Sequence, residues 1–139
     1  MLQVYLSGRS IELAGVTMSV AEPTVREYRV KVRGVFDPRL YRADQVADLI
    51  RAELYTFIAA NTRVGWTVYE SALRDSAFVP EVRDVRVNFV LPTNGNTFAP
   101  DDDGADHAGN LAAADGFTRA DIFTCLQDED NVIITMAEL

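Results

Sequence analysis

The chain has 139 residues, 48% hydrophobic and 24% charged, with a single cysteine and a formal net charge of −8. That length fits one domain able to bury its own core, and a lone Cys125 excludes an intramolecular disulfide or a multi-cysteine zinc site. The negative balance argues against generic nucleic-acid binding. No apolar run approaches the ~20 residues that span a bilayer, and Arg9 and Glu12 break up any signal-peptide layout, so a soluble chain in a reducing compartment is expected.

Read in chain order, the first twenty residues are β in character. Val4, Tyr5 and Leu6 run into a Ser7-Gly8-Arg9-Ser10 turn signal, and Ile11 to Val20 follow before Glu22-Pro23 breaks the run. Residues 25–35 alternate, with Tyr28, Val30 and Val32 on one face and Arg29, Lys31 and Arg33 on the other, which predicts a half-buried strand with a basic outer face. Residues 43–60 carry Val46, Leu49, Ile50, Leu54, Phe57 and Ile58 at helical spacing, with Asp44 and Asp48 in the opening turns where the macrodipole favours them. Residues 63–70 read as a strand placing Val64, Trp66 and Val68 in the core and Tyr69 on the opposite face, open to a partner. A short helical turn over 71–77 precedes a strand over 84–91, with Val85, Val87, Phe89 and Leu91 inward and Asp84, Arg86 and Asn88 outward.

From Thr93 to Gly116 the composition shifts to Asn, Gly, Asp and Ala, predicting a long polar loop. Residues 121–126 and 132–139 read as a C-terminal β-hairpin joined by the acidic turn 127–131. The expected class is therefore α+β: a mostly antiparallel sheet with the 43–60 helix packed on one face. Residues 1–92 form the core with its N-terminal β segment. Residues 93–139 are an acidic loop and hairpin appended to the same domain.

Chemistry-bearing patterns are sparse. Asp101, Asp102, Asp103 and Asp106 offer hard oxygen ligands that can take Ca²⁺, yet Ala105 fills a ligand position of an EF-hand loop and no glutamate stands at the twelfth. His107 lies in the polar loop, and Cys125 sits in the apolar run 122–126 that fits a buried thiol. No phosphate loop, G-x-S-x-G or H-E-x-x-H motif occurs, so the chain is read as a non-enzyme without a cofactor. Charge is segregated: residues 26–86 carry a net +2 and residues 87–139 a net −9. Arg29, Lys31, Arg33 and Arg86 on outer strand faces, Tyr69, and the carboxylates of Asp101, Asp102, Asp103 and Asp106 are thus candidate interface residues. The basic face of one copy would receive the acidic segment of the next in a ring or spiral.

The strings "VTMSVAEPTVREYRVKVRGVF" from Val16, "ADQVADLIRAELYTFIAA" and "RVGWTVYESALRDSAFVPEVRDVRVNFVLP" together resemble the C-terminal domain of baseplate J-like proteins. These are wedge components of contractile phage tails and related injection machines. The likeness covers residues 16–92: a valine-rich strand after Pro23, an amphipathic helix ending in large apolar residues, the Gly65 to Leu73 segment, the Val79 to Val85 turn and Pro92. It implies a structural tail, baseplate or neck subunit, assembled in the host cytoplasm into a virion. The implied partners are other virion proteins or copies of itself, with no nucleic acid and no membrane. The alternative is a small non-viral adaptor or regulatory binding module.

Overall fold

The alternation that begins after Pro23 sets the architecture. The computed structural model describes residues 10–13, 16–19, 24–112, 117–118 and 120–139. Its elements run β1 (Ser10–Leu13), β2 (Val16–Ser19), β3 (Thr24–Glu27), β4 (Arg29–Phe36), α1 (Ala43–Asn61), α2 (Glu70–Ala77), β5 (Val82–Leu91), β6 (Ala105–His107), β7 (Asp121–Thr124) and β8 (Val132–Glu138). Four strands form one sheet in the order β6-β5-β4-β8; β1-β2 and β3-β7 form separate pairs. The class is α+β, as expected, and the main sheet is mixed: β4 pairs antiparallel with β5 and parallel with β8. The expected residues 4–6, the Ser7-Gly8-Arg9 turn and the Glu22-Pro23 break lie outside the described residues.

The even-numbered side of β4 builds the core. Val30, Val32 and Phe36 are buried with Val85, Val87 and Phe89 of β5, and Tyr28 meets the Phe89 ring edge-on at 5.7 Å. Helix α1 lies across this face through Val46, Ile50, Leu54 and Ile58, an i, i+4 ridge. It sits close because Gly34 has no side chain; a Cβ there would stand 3.0 Å from Met136 Cε and 3.4 Å from Ile50 Cδ1. The helix ends where Asn61 Nδ2 and Thr62 Oγ1 donate to the carbonyls of Phe57 and Ile58, at 2.9 and 2.6 Å, supplying donors to the last turn. The buried ridge is narrower than the sequence stripe: Leu49 is 38% exposed and Phe57 only half-buried. Among the described residues no helix is long and apolar enough to cross a membrane.

Four expectations are corrected. The alternating run 25–35 is not one strand: it divides at Tyr28 into β3 and β4, which pair in different sheets. Residues 63–70 form no strand; Val68 makes an isolated bridge to Leu111, and Val64 and Trp66 are exposed rather than core. The polar segment after Pro92 is not a free loop, because β6 within it pairs with β5. The C-terminal hairpin does not form. β7 pairs in parallel with β3, where the buried Asp121 takes a 2.8 Å ion pair from Arg26, and β8 crosses to pair with β4. The acidic turn makes the separation: Asp128 Oδ1 accepts from the backbone N–H groups of Asp130 and Asn131 and from Asn131 Nδ2, redirecting the chain before β8.

Candidate functional site

The strand alternation that buries Val30 and Val32 turns Arg29, Lys31 and Arg33 to the opposite, outer face of the sheet. Register places Val90 beside Arg29, Asn88 beside Lys31 and Arg86 beside Arg33 on β5, with Ile133 and Thr135 beside Lys31 and Arg33 on β8. The four basic residues singled out in the sequence therefore share one surface. Its two ends differ.

At the Arg29 end the acidic segment of the same chain closes the face. The Arg29 guanidinium stacks 3.9 Å from the centroid of Phe98, donates from Nη1 to the Asp102 carbonyl at 2.8 Å and from Nε to Asn131 Oδ1 at 3.2 Å. Val90, which would otherwise project outward from the sheet, is fully buried. Gly104 at φ +75° makes the close approach: a Cβ there would collide with Val90 Cγ1 and stand 2.8 Å from the Leu91 carbonyl oxygen. The Asp102 carboxylate holds the loop in shape by accepting from the amides of Gly104 (2.8 Å) and Thr93 (3.0 Å) and from Thr93 Oγ1 (2.9 Å). Those amide donors, Gly104 first, hold its carboxyl below the usual carboxylate range. Strand β6 then brings Asp106 beside Val90 in register, with its carboxylate 3.6 Å from Lys31 Nζ and 3.4 Å from Asn88 Nδ2.

The contact expected between neighbouring copies is thus made within one chain by Arg29, Lys31, Asp102 and Asp106. Asp101 and Asp103 stay exposed. The four carboxylates of 101–106 do not converge on a Ca²⁺ site; among the described residues no group of three or more His, Cys, Asp or Glu side chains is placed to hold a metal ion.

At the other end Arg33 and Arg86 face each other across β4 and β5, both exposed, and neither has an ion-pair partner among the described residues. Like charges directly opposed on adjacent strands oppose folding. Arg74 of α2 joins them by wrapping the β5 edge, where its Nε donates to the Val85 carbonyl at 3.1 Å and its Nη2 lies 3.8 Å from Asp84. The result is an open trough of about 1120 Å³ lined by Lys31, Arg33, Arg74, Arg86, Thr135 and Ala137, with Glu70 also along it. No sequence signal assigned Arg74 or the small β8 side chains to this surface, because their proximity depends on a helix docking beside β5 and on the parallel β8 pairing.

A second surface lies on the segment between the helices. Trp66 and Tyr69 are 45% and 53% exposed and wall a largely apolar cavity of about 190 Å³ that reaches Tyr28, Phe57, Val68 and Ala72. Arg63 covers the Trp66 ring at 4.6 Å. Tyr69 is on the surface as expected, and Trp66 joins it there.

The remaining chemistry-bearing residues are engaged structurally. Asp37, buried at the end of β4, accepts from Arg39 Nη2 at 2.9 Å, and that hydrogen bond leads the effects that lower its pKa to about 2. For Asp121, burial acts to raise the pKa, but the Thr118 amide and the Arg26 guanidinium outweigh it and hold the carboxyl low. Burial, with Asp128 second, pushes the Cys125 thiol up to about 12. Its sulfur meets the Asn131 carbonyl at 3.7 Å, whereas a His107 ring nitrogen lies 3.2 Å from the Asn110 carbonyl. No protein-family model matches the chain, and no curated protein matches its sequence.

Proposed function

We propose that the chain is a non-enzymatic structural subunit that assembles through protein–protein contacts in a tail, baseplate or neck of the contractile kind. The observation that carries this reading is the pairing of exposed Trp66 and Tyr69 with the apolar cavity beneath them. Exposed aromatics flanking a pocket of side-chain size are the usual anchors of a protein interface. The split charge and the resemblance of residues 16–92 support the same reading. In it, the partners are other particle subunits or copies of this chain, and localisation is the virion.

Sedimentation and imaging of particles from the native source test this directly. Wild-type chain is expected in the particle fraction, and a Trp66→Ala, Tyr69→Ala variant of unchanged thermal midpoint is expected to be lost from it. Finding the chain only free, or at fixed stoichiometry with one soluble non-particle protein, would overturn the proposal; the second result would favour an adaptor module.

A further inference from the structure

The geometry points to the outer edge of β8 as the docking site for an extended acidic segment of a partner protein, laid down as an added strand whose carboxylates meet Arg33, the guanidinium that Arg86 opposes from its other side. This inference stands on the opposed arginines and the sheet edge, independently of the Trp66 and Tyr69 surface. Three observations carry it.

The first is charge. Arg33 and Arg86 are register partners without an ion pair among the described residues, and Lys31 and Arg74 line the same trough. An anionic occupant turns this repulsion into attraction.

The second is the edge. Within the four-stranded sheet, β6 covers one end of β5 and Arg74 caps the next stretch through the Val85 carbonyl, while β8 ends the sheet with no further strand paired to it among the described residues. A seven-residue edge strand with no Lys, Arg or Pro, and with its one charge at the terminal Glu138, leaves residues 132–137 as an open template for strand addition.

The third is an internal precedent. β6 is itself a short strand added to the sheet, and its one carboxylate, Asp106, reaches across β5 to Lys31 on β4. A strand added beyond β8 stands in the mirror position, also two strands from β4. Between it and Arg33 stands Thr135, the register partner of Arg33 and a short side chain over which a guanidinium can reach, flanked on the same face by Ala137 and the longer Ile133. Arginine suits the task because it binds carboxylates with two parallel hydrogen bonds.

The test uses the full chain and a fluorescent peptide of about eight residues, the length of an ordinary strand, that alternates Asp with Val. Controls are a peptide of the same composition with its Asp residues contiguous, one with Lys in place of Asp, and a single-stranded oligonucleotide of equal charge. Anisotropy is expected to show the alternating peptide binding at least tenfold tighter than every control. Hydrogen exchange should slow within residues 132–138 on binding. Arg33→Glu should weaken binding at least tenfold; if that variant fails to fold, Arg33→Ser should weaken it several-fold. Trp66→Ala should leave binding unchanged, which separates this site from the assembly surface above. Equal binding of the contiguous-Asp peptide or the oligonucleotide would overturn the proposal in favour of a generic polyanion site. A peptide-free dimer whose β8 amides are already protected would overturn it in favour of a second copy, and no binding at all would overturn it outright.

Discussion

The outer sheet face is one surface with two fates. At the Arg29 end a cation is stacked on an aromatic ring, hydrogen-bonded to a carbonyl and covered by the chain's own acidic segment. Four residues further along the same strand Arg33 faces Arg86, and neither has an ion-pair partner among the described residues. Both ends come from the same alternation of basic and apolar residues, so alternation alone does not distinguish a solvated or binding face from an intramolecular seam. What separates them is the glycine that lets the loop descend at one end and, among the described residues, the lack of a descending segment at the other.

Breaking the sealed end should give the largest effects. Gly104→Ala combines a disfavoured φ with a collision against Val90 and the Leu91 carbonyl, and should cost about 2–4 kcal/mol, read as a fall in denaturation midpoint with exposure of residues 98–106 to protease. Arg29→Ala should follow at about 1–2 kcal/mol, since it removes the Phe98 stack and two hydrogen bonds from a half-buried position. At the open end Arg33→Ser or Arg86→Ser should change stability by no more than about 0.5 kcal/mol, with the sign toward stabilisation because a repulsion is relieved.

Acid sharpens the contrast. The folded-state pKa of Asp102 lies below its ordinary value of 3.8, so its contribution to the sealed end is complete above that pH and fades as pH falls below it. Protection of the Gly104 and Thr93 amides, relative to unstructured amides at the same pH, should therefore fall on acidification below 3.8. Asp102→Asn should show that lower protection already at neutral pH. Asp37 behaves alike, its stabilisation being lost between 3.8 and about 2, so a global transition in the same range should shrink in Asp37→Asn.

Much of this was legible in the residues, and the failures have physical causes. The period of two in 25–35 and 84–91 and the i, i+4 spacing of α1 are local signals that put Val30, Val32, Val85, Val87, Phe89 and the α1 ridge inward as expected, although the 25–35 run divides at Tyr28 into β3 and β4, which lie in separate sheets. Leu49 lies at the margin of the helical stripe, and its exposure depends on how the helix rolls onto Gly34. The alternation of Val64, Trp66 and Val68 found no strand to pair along its length among the described residues: Val68 bridges to Leu111, and the Gly65 N–H donates to the Asp121 carbonyl at 2.9 Å. The C-terminal strands were recognised as strands but their partners were not. A strand's side chains say which face is buried, and parallel pairing with a strand some hundred residues away leaves no local mark. At the site, the outward direction of Arg29, Lys31, Arg33 and Arg86 was readable, as was the acidity of 101–106. That the two meet within one chain depended on Gly104 and on the three-residue strand β6, too short to leave a periodic signal.

Charge reversal at Lys31 and at Arg33 tests the division most directly. The two side chains share a face and stand two residues apart, yet one has Asp106 at 3.6 Å and the other has Arg86. Thermal midpoints across a salt series should fall for Lys31→Glu, by the equivalent of about 0.2–1 kcal/mol, and rise by a similar amount for Arg33→Glu, with both differences vanishing at high salt. Shifts of the same sign in the two variants, or no shift in either, would contradict a face sealed at one end and open at the other.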